Sequence, residues 1–341
     1  MICASRPYRR VRWCSLTAEW YVALVSMSMA EKGSRGATLF VVAAAMLLSL
    51  HFFRPVHGGL WLTTFYNFLH FPVFGVVALA IFGITGVFFK RQPWQRVVIA
   101  GIVMFIVSIL SEAAQIPGPR DASLDDLISN WFGAASFLLI AVAVSFQNHL
   151  SKKGRGLCGI GGTILLLIAS WHLITVTAVY LERNARIPVL ATFDSWLGSR
   201  LVLKQNAQVT LVKLDTDERT WAQVTLDDGN WPGLVFHDLW PDWSSYEALV
   251  LELKPTDDRP LEINIRVHDR QHTRYGQPYS DRFNMHITLE KEGRIVRIPL
   301  DDIAEAPGSR AMNMTRIAGL VIFCSRDKAG RAFLLTDIRL E

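Results

Sequence analysis

Leu261-Glu262-Ile263-Asn264-Ile265-Arg266-Val267 alternates apolar and polar side chains residue by residue. A period of two sends the apolar set to one face of a β-strand and the polar set to the other. Leu249-Val250-Leu251-Glu252-Leu253 and Arg294-Ile295-Val296-Arg297-Ile298 repeat the texture. Turn-forming clusters separate these runs: Asp227-Asp228-Gly229, Lys254-Pro255-Thr256-Asp257-Asp258 and Ala306-Pro307-Gly308. Short half-buried strands punctuated in this way predict an antiparallel β-sandwich over residues 187–341. About 150 residues suffice for one hydrophobic core.

Upstream the texture is different. The chain of 341 residues is 51% hydrophobic and only 19% charged, and much of the apolar content lies in five stretches near the roughly 20 residues that cross a bilayer as a helix. These are about 38–53, 65–89, 97–116, 127–146 and 158–181, the first being the shortest. The expected architecture is therefore multi-domain: an α-helical transmembrane bundle of about five spans followed by the sandwich. Residues 1–37 form a basic N-terminal segment, in which Arg6, Arg9, Arg10 and Arg12 precede an apolar run too short to span, and Met27 or Met29 is an alternative start. Residues 38–146 hold the first four spans, and 147–186 a basic loop, the fifth span and a linker.

Charge divides at the same boundary. Residues 1–186 carry 16 Lys and Arg against 7 Asp and Glu, and residues 187–341 carry 19 against 23, so the net +5 is +9 from one part and −4 from the other. The basic excess lies between apolar segments instead of forming a stripe with interleaved aromatics, which excludes a nucleic-acid partner. Cells retain basic loops on the cytoplasmic side. Lys32 and Arg35, then Lys90, Arg91 and Arg96, then Lys152, Lys153 and Arg155 mark alternate connections. The N-terminus is expected in the cytoplasm, the helices in a bacterial inner membrane with lipid as their partner, and everything after Leu181 in the periplasm or otherwise outside. The cysteines, Cys3, Cys14, Cys158 and Cys324, show no paired metal or redox spacing.

Polar groups inside a bilayer are costly and need a reason. His70 lies in the second span, Glu112 and Gln115 end the third, Arg120 lies in the following loop, and Asp126 and Asn130 open the fourth. With the topology above, all six fall near the outer boundary. Glu112 and Gln115 at i, i+3 share a helical face, as do Asp126 and Asn130 at i, i+4, and Arg120 can pair with either carboxylate. Each group also has a plain structural use: Ser123 with Asp126 fits capping-box spacing, Asn130 can bond a neighbouring helix, and His70 can be a packed histidine.

Glu112-x-x-Gln115, Pro117-Gly118-x-Arg120 and Ser123-x-x-Asp126-x-x-x-Asn130-x-x-Gly133, preceded by Leu69-His70-Phe71, resemble the VanZ-like membrane domain across roughly residues 38–146. Pro119 and Asp125 are local variations. The resemblance implies four or five short spans and a cell-envelope role, the founding member being associated with resistance to the glycopeptide teicoplanin. It implies no reaction.

The sandwich is rich in rings that could stack on sugars: Trp221, Trp231, Trp240, Trp243, Tyr246, Tyr275 and Tyr279. The densest mixture of rings with hydrogen-bonding and charged groups is Asp269, Arg270, His272, Arg274, Tyr275 and Tyr279, the candidate glycan-binding set, although most aromatics of a sandwich pack its core or edges. The order Trp231-Pro232-Gly233-Leu234, Asp242-Trp243-Ser244-Ser245-Tyr246, Arg266-Val267-His268-Asp269, Asp281-Arg282-Phe283-Asn284 and Phe333–Leu340 resembles jelly-roll, galactose-binding-like carbohydrate-binding modules. It is also similar to the domain of the complex I intermediate-associated protein. The resemblance implies the fold and a cell-envelope glycan as partner.

Catalytic signatures are missing: no G-x-S-x-G, no H-E-x-x-H and no phosphate-binding Gly loop occur. The adjacent pairs Asp227-Asp228 and Asp301-Asp302 suit neither a strand-borne nor a turn-borne acid/base couple. The sequence therefore assigns no catalytic residue, metal ligand or cofactor. Its expectation is a non-catalytic envelope protein. The alternative is a membrane enzyme modifying a lipid-linked glycan or phosphate headgroup at the His70, Glu112, Arg120 and Asp126 grouping.

Overall fold

A computed structural model describes residues 38, 41–42, 44–49, 59–88, 93–116, 123–195, 198–214, 217–274 and 276–341. Two units divide the chain, one containing Phe65–Trp171 and the other His172–Glu341 together with His57–Thr64.

The helical unit is built on the last turn of α1 (Leu60–Phe68), α2 (His70–Phe88), α3 (Pro93–Ala113), α4 (Leu124–Ser145) and the first part of α5 (Lys152–Ala185). Backbone bonds from Leu69 N to Phe65 O and from Val73 N to Leu69 O carry the helix across the junction of α1 and α2. Among the described residues four helical segments are long and apolar enough to cross a membrane: Leu60–Gly86, Trp94–Ala113, Leu124–Ser145 and Lys152–Ala185. Of the first expected span, only residues 38, 41–42 and 44–49 are described, and they are helical. Phe74, Val77, Ala78, Met104, Leu138 and Val142 bring α2, α3 and α4 together in one apolar core. The opposite faces are apolar as well, with Ile102, Ile106 and Leu110 of α3 and Ile160, Leu167 and Ile168 of α5 exposed. A helix apolar on every side is suited to a lipid surround.

Two helices begin earlier than the apolar runs suggest. Lys152, Lys153 and Arg155, expected in a loop, lie in the first turn of α5. There Ser151 Oγ accepts the Gly154 N–H at 3.1 Å, the side-chain cap that lets a helix start. Likewise α1 starts at Leu60, ahead of the expected 65.

The second unit is a pair of antiparallel sheets. One has the order β3 (Ala207–Leu214), β4 (Asp217–Leu226), β11 (Ala332–Leu340), β6 (Ala248–Pro255), β9 (Arg294–Pro299), with β1 (Val189–Ala191) also paired to β11. The other has the order β2 (Val202–Gln205), β5 (Gly233–His237), β10 (Ile317–Phe323), β7 (Leu261–Asp269), β8 (Phe283–Leu289). Short helices α6 (Arg270–Arg274) and α7 (Leu300–Glu305) follow β7 and β9.

The alternation that opens the sequence is realised in β7, where Leu261, Ile263, Ile265 and Val267 are fully buried while Glu262 is exposed and Asn264 and Arg266 are half-buried. These side chains meet Leu251, Leu253, Val296, Phe333 and Leu335 of the other sheet in a single core. Trp243 is fully buried in it, its Nε1–H donating to Trp240 O at 2.7 Å, so the indole buries its area with its one donor satisfied.

Candidate functional site

Five of the six polar groups of the helical unit lie in the described residues, and all five are buried: His70, Glu112, Gln115, Asp126 and Asn130. Arg120 lies outside the described residues. The cluster joins the start of α2, the end of α3 and the first two turns of α4. Asn130 Nδ2 donates to Glu112 Oε1 at 3.1 Å, and a carboxylate can only accept. The amide is thereby oriented with Oδ1 toward His70 Nδ1, 3.1 Å away. That ring nitrogen must then carry the proton, and in the neutral imidazole the lone pair is left on Nε2.

Glu112 is held from three sides. Besides Asn130, Gln115 Nε2 donates to Oε1 at 3.4 Å, and the Ser123 backbone N–H donates to Oε2 at 3.3 Å. Ser123 does cap α4, its Oγ accepting the Asp125 N–H at 3.2 Å. Yet the Ser123 N–H that a capping box would hand to Asp126 goes to Glu112 of another helix. Asp126 lies instead beside His70 and Glu112, and one ligand atom from each of the three falls within 4.8 Å of the others.

Glycine makes the approach possible. A Cβ on Gly133 would lie 2.1 Å from the backbone oxygen of Phe71, so only hydrogen lets α4 lie so close to α2. Gly133 is three residues after Asn130, on the same helical face, and Phe71 follows His70.

In the sandwich the predicted glycan set is separated. Asp269 and His272 are fully buried. Asp269 receives Arg310 Nη1 at 2.6 Å and Nη2 at 2.8 Å, the His272 N–H at 2.9 Å and the Asn313 N–H at 2.9 Å. Arg310 also bonds Asp281. These two side chains are interior, with no exposed surface. Arg270 is exposed, and so is Tyr279 at 71%, with the Arg282 guanidinium 4.8 Å from its ring centre. Tyr275 and the side chain of Arg274 lie outside the described residues. Of the other rings, Trp221 and Trp243 are buried, and Trp231 is 58% exposed.

A different group of polar residues shares the outward face of the sheet ordered β2 to β8. Register pairs Gln205 with Gly233, Gly233 with Phe323, Phe323 with Asn264, and Asn264 with His286, one row across five strands. Asn264 Oδ1 lies 3.2 Å from His286 Nδ1. The next row sets Arg266 against Asn284, which accepts from Arg282 Nε at 3.0 Å. Trp231 meets Phe323 edge-on at 5.7 Å. The outward positions of β7 could have been found in the sequence, being the polar half of its alternation, but their partners on β8 and β10 require the sheet order. Burial, reinforced by Arg282, lowers the pKa of Arg266, while its guanidinium stays cationic at neutral pH.

No protein-family model matches the chain, and no curated protein matches it. Solved structures similar to it are alike over the C-terminal sandwich. An exo-beta-agarase is 12% identical, with a TM-score of 0.37, over 45% of this chain and 24% of its own. The family 11 carbohydrate-binding module from Clostridium thermocellum, in complex with a beta-1,3-1,4-mixed-linked tetrasaccharide, is 16% identical, with a TM-score of 0.33, over 45% of this chain and 93% of its own. The family 30 carbohydrate-binding module of a C. thermocellum cellulosomal cellulase is 13% identical, with a TM-score of 0.28, over 45% of this chain and 91% of its own. The chain thus spans about a quarter of the agarase and nine-tenths of the modules.

Proposed function

We propose that the chain is an integral membrane protein of the bacterial cell envelope, in which a VanZ-like helical domain carries an extracytoplasmic, non-catalytic module that binds a surface polysaccharide or peptidoglycan. The N-terminus is cytoplasmic, the helices lie in the inner membrane, and glycopeptide resistance is the phenotype to examine. What supports glycan binding is the outward sheet face: the exposed Trp231 against Phe323, in a row with Asn264 and His286. A sugar presents C–H faces to rings and hydroxyls to amides, imidazoles and guanidinium groups.

The full-length protein in detergent, tested on an array of envelope glycans, is expected to bind a defined saccharide. Trp231→Ala and Tyr279→Ala should each weaken binding at least tenfold. Failure to bind any envelope glycan sinks the reading for the sandwich. A reporter fused after Glu341 must report an extracytoplasmic location, and a cytoplasmic signal sinks the topology.

One observation favours a second reading, that of a membrane enzyme acting on a lipid-linked glycan or phosphate headgroup. It is the buried chain from His70 through Asn130 to Glu112. On that reading Arg120→Ala and Glu112→Gln each abolish the cellular phenotype while expression stays normal. Retention of full function by both variants excludes it.

A further inference from the structure

We propose that His70, Glu112 and Asp126 form a binding site for one divalent first-row transition-metal ion, of the Zn²⁺ or Mn²⁺ type. Three helix ends deliver three ligands of the right chemistry to one buried point, with their candidate ligand atoms within 4.8 Å of one another. Ligands ~2.1 Å from a tetrahedral ion lie roughly 3.4 Å apart, so atoms within 4.8 Å of one another need to close by at most about 1.4 Å. One imidazole with two carboxylates is a mixed nitrogen and oxygen set, which suits Zn²⁺ and Mn²⁺ better than the all-oxygen preference of Ca²⁺.

The neighbours of the three residues are those a metal site requires. A ligating histidine donates its other ring N–H to an acceptor that fixes its tautomer, and Asn130 Oδ1 does this for His70, itself oriented by Glu112. The imidazole is thus set with Nδ1 protonated and the Nε2 lone pair as the ligand. Glu112 is positioned by Asn130, Gln115 and the Ser123 N–H. Gln115 is itself 2% exposed, and its Oε1 has no hydrogen-bond partner among the described residues. It is a further neutral oxygen beside the cluster.

The test uses tag-free full-length protein in detergent, stripped with chelator, reloaded with Zn²⁺ or Mn²⁺ alone, and passed over a sizing column before elemental analysis. The expected result is one equivalent per chain. His70→Gln, Glu112→Gln and Asp126→Asn should each lower affinity by more than tenfold. Asn130→Ala should lower it by about 10–100-fold through the ligand it orients, and Asp125→Asn, at an exposed neighbouring carboxylate, should leave it unchanged. Should the ligand variants not fold, Co²⁺ added to the wild-type chain reports directly, a d–d absorption band being expected from mixed nitrogen and oxygen ligation. Trace metal only, no Co²⁺ band, or full metal retained by folded Asp126→Asn would each overturn the proposal. Glycan binding is a separate readout, so failure here leaves the sandwich reading standing and the converse also holds.

Discussion

Arg310 grips Asp269 with two hydrogen bonds, Nη1 to Oδ2 at 2.6 Å and Nη2 to Oδ1 at 2.8 Å, and the carboxylate so held is fully buried. The same guanidinium reaches both oxygens of Asp281 through Nε and Nη2. One cation therefore links the end of β7 to the turn before β8. Breaking a buried pair by removing one partner leaves an uncompensated charge and costs about 3–5 kcal/mol. Arg310→Ala should lower the stability of the sandwich by that amount, read as faster hydrogen exchange in β7 and β8 of the full-length protein. Arg310→Lys should recover little, because an ammonium cannot bond both carboxylates bidentately. Unchanged exchange in Arg310→Ala would contradict the supporting role.

The network also sets a limit in acid. Burial by itself works to raise the pKa of Asp269, but the bonds from Arg310, Asn313 and His272 outweigh it and hold the group below its ordinary 3.8. Asp281 is held down chiefly by Arg310. In the unfolded chain each carboxyl takes a proton at a higher pH than in the folded chain. Their stabilisation is thus complete above about pH 4 and is lost as the pH falls through the folded values. His268 acts in a separate window. Burial, reinforced by Arg266 and His272, pushes it down to about 3, so between an unfolded value of about 6.5 and 3 the unfolded chain binds the extra proton. Stability should fall as the pH drops from 6.5 to 4, before the carboxylates contribute. His268→Phe keeps a ring at this position, which packs so closely on Gly319 that a Cβ there would lie 2.7 Å from the imidazole, and it should flatten that slope. The slope that remains belongs to His272, whose pKa burial also lowers. Stability curves of the two proteins that coincide between pH 6.5 and 4 would refute the assignment.

Strands were legible wherever their alternation was long. In β7 every position expected to be apolar and inward is fully buried. The sheet order was not, because β6 pairs with β9 and β11, strands far along the chain. The burial of two members of the glycan set has a related reason. Charged and aromatic residues crowded between 269 and 279 look like a surface loop, yet Asp269 is interior, held by Arg310 from 41 residues further along the chain, and the buried His272 donates its backbone N–H to the same carboxylate. In the helical unit, the facing of Glu112 with Gln115 and of Asp126 with Asn130 followed from helical spacing. That Asn130 would bridge His70 and Glu112 depends on how closely two helices approach, which spacing within one helix does not encode.

Trp243 tests how far the sandwich depends on one satisfied donor. Its Nε1–H bonds Trp240 O at 2.7 Å and its backbone N–H bonds Met314 O at 2.8 Å. Trp243→Phe keeps the backbone bond and most of the apolar area, but it removes the indole donor from a part-buried carbonyl and leaves a void. A loss of about 1–3 kcal/mol is expected from the unmade bond, with a further cost from the cavity. Hydrogen exchange at the residue 243 amide, which donates to Met314 O, should rise before that of β8. Thermal unfolding indistinguishable from wild type would contradict this.

Gly133 sets the spacing on which the polar cluster depends. A Cβ there would meet Phe71 O at 2.1 Å and Phe71 C at 2.9 Å. Both are backbone atoms that cannot swing aside as a side-chain tip could, so α4 must move away from α2. Gly133→Ala should therefore cost about 1–3 kcal/mol, the range for overpacking, although alanine is the better helix former by about 1 kcal/mol. Gly101 on α3 provides the control, since a Cβ there meets nothing within 4 Å. Gly101→Ala should be neutral or slightly stabilising. The displacement also reaches the cluster, for His70 precedes Phe71 and Asn130 lies one turn before Gly133. The 3.1 Å contact between His70 Nδ1 and Asn130 Oδ1 should lengthen and release the ring from its tautomer. The His70 imidazole resonances of labelled protein should then change in Gly133→Ala and stay as they are in Gly101→Ala. Equal stability of the two variants, with an unshifted His70 signal in both, would show that the glycine does not set this approach.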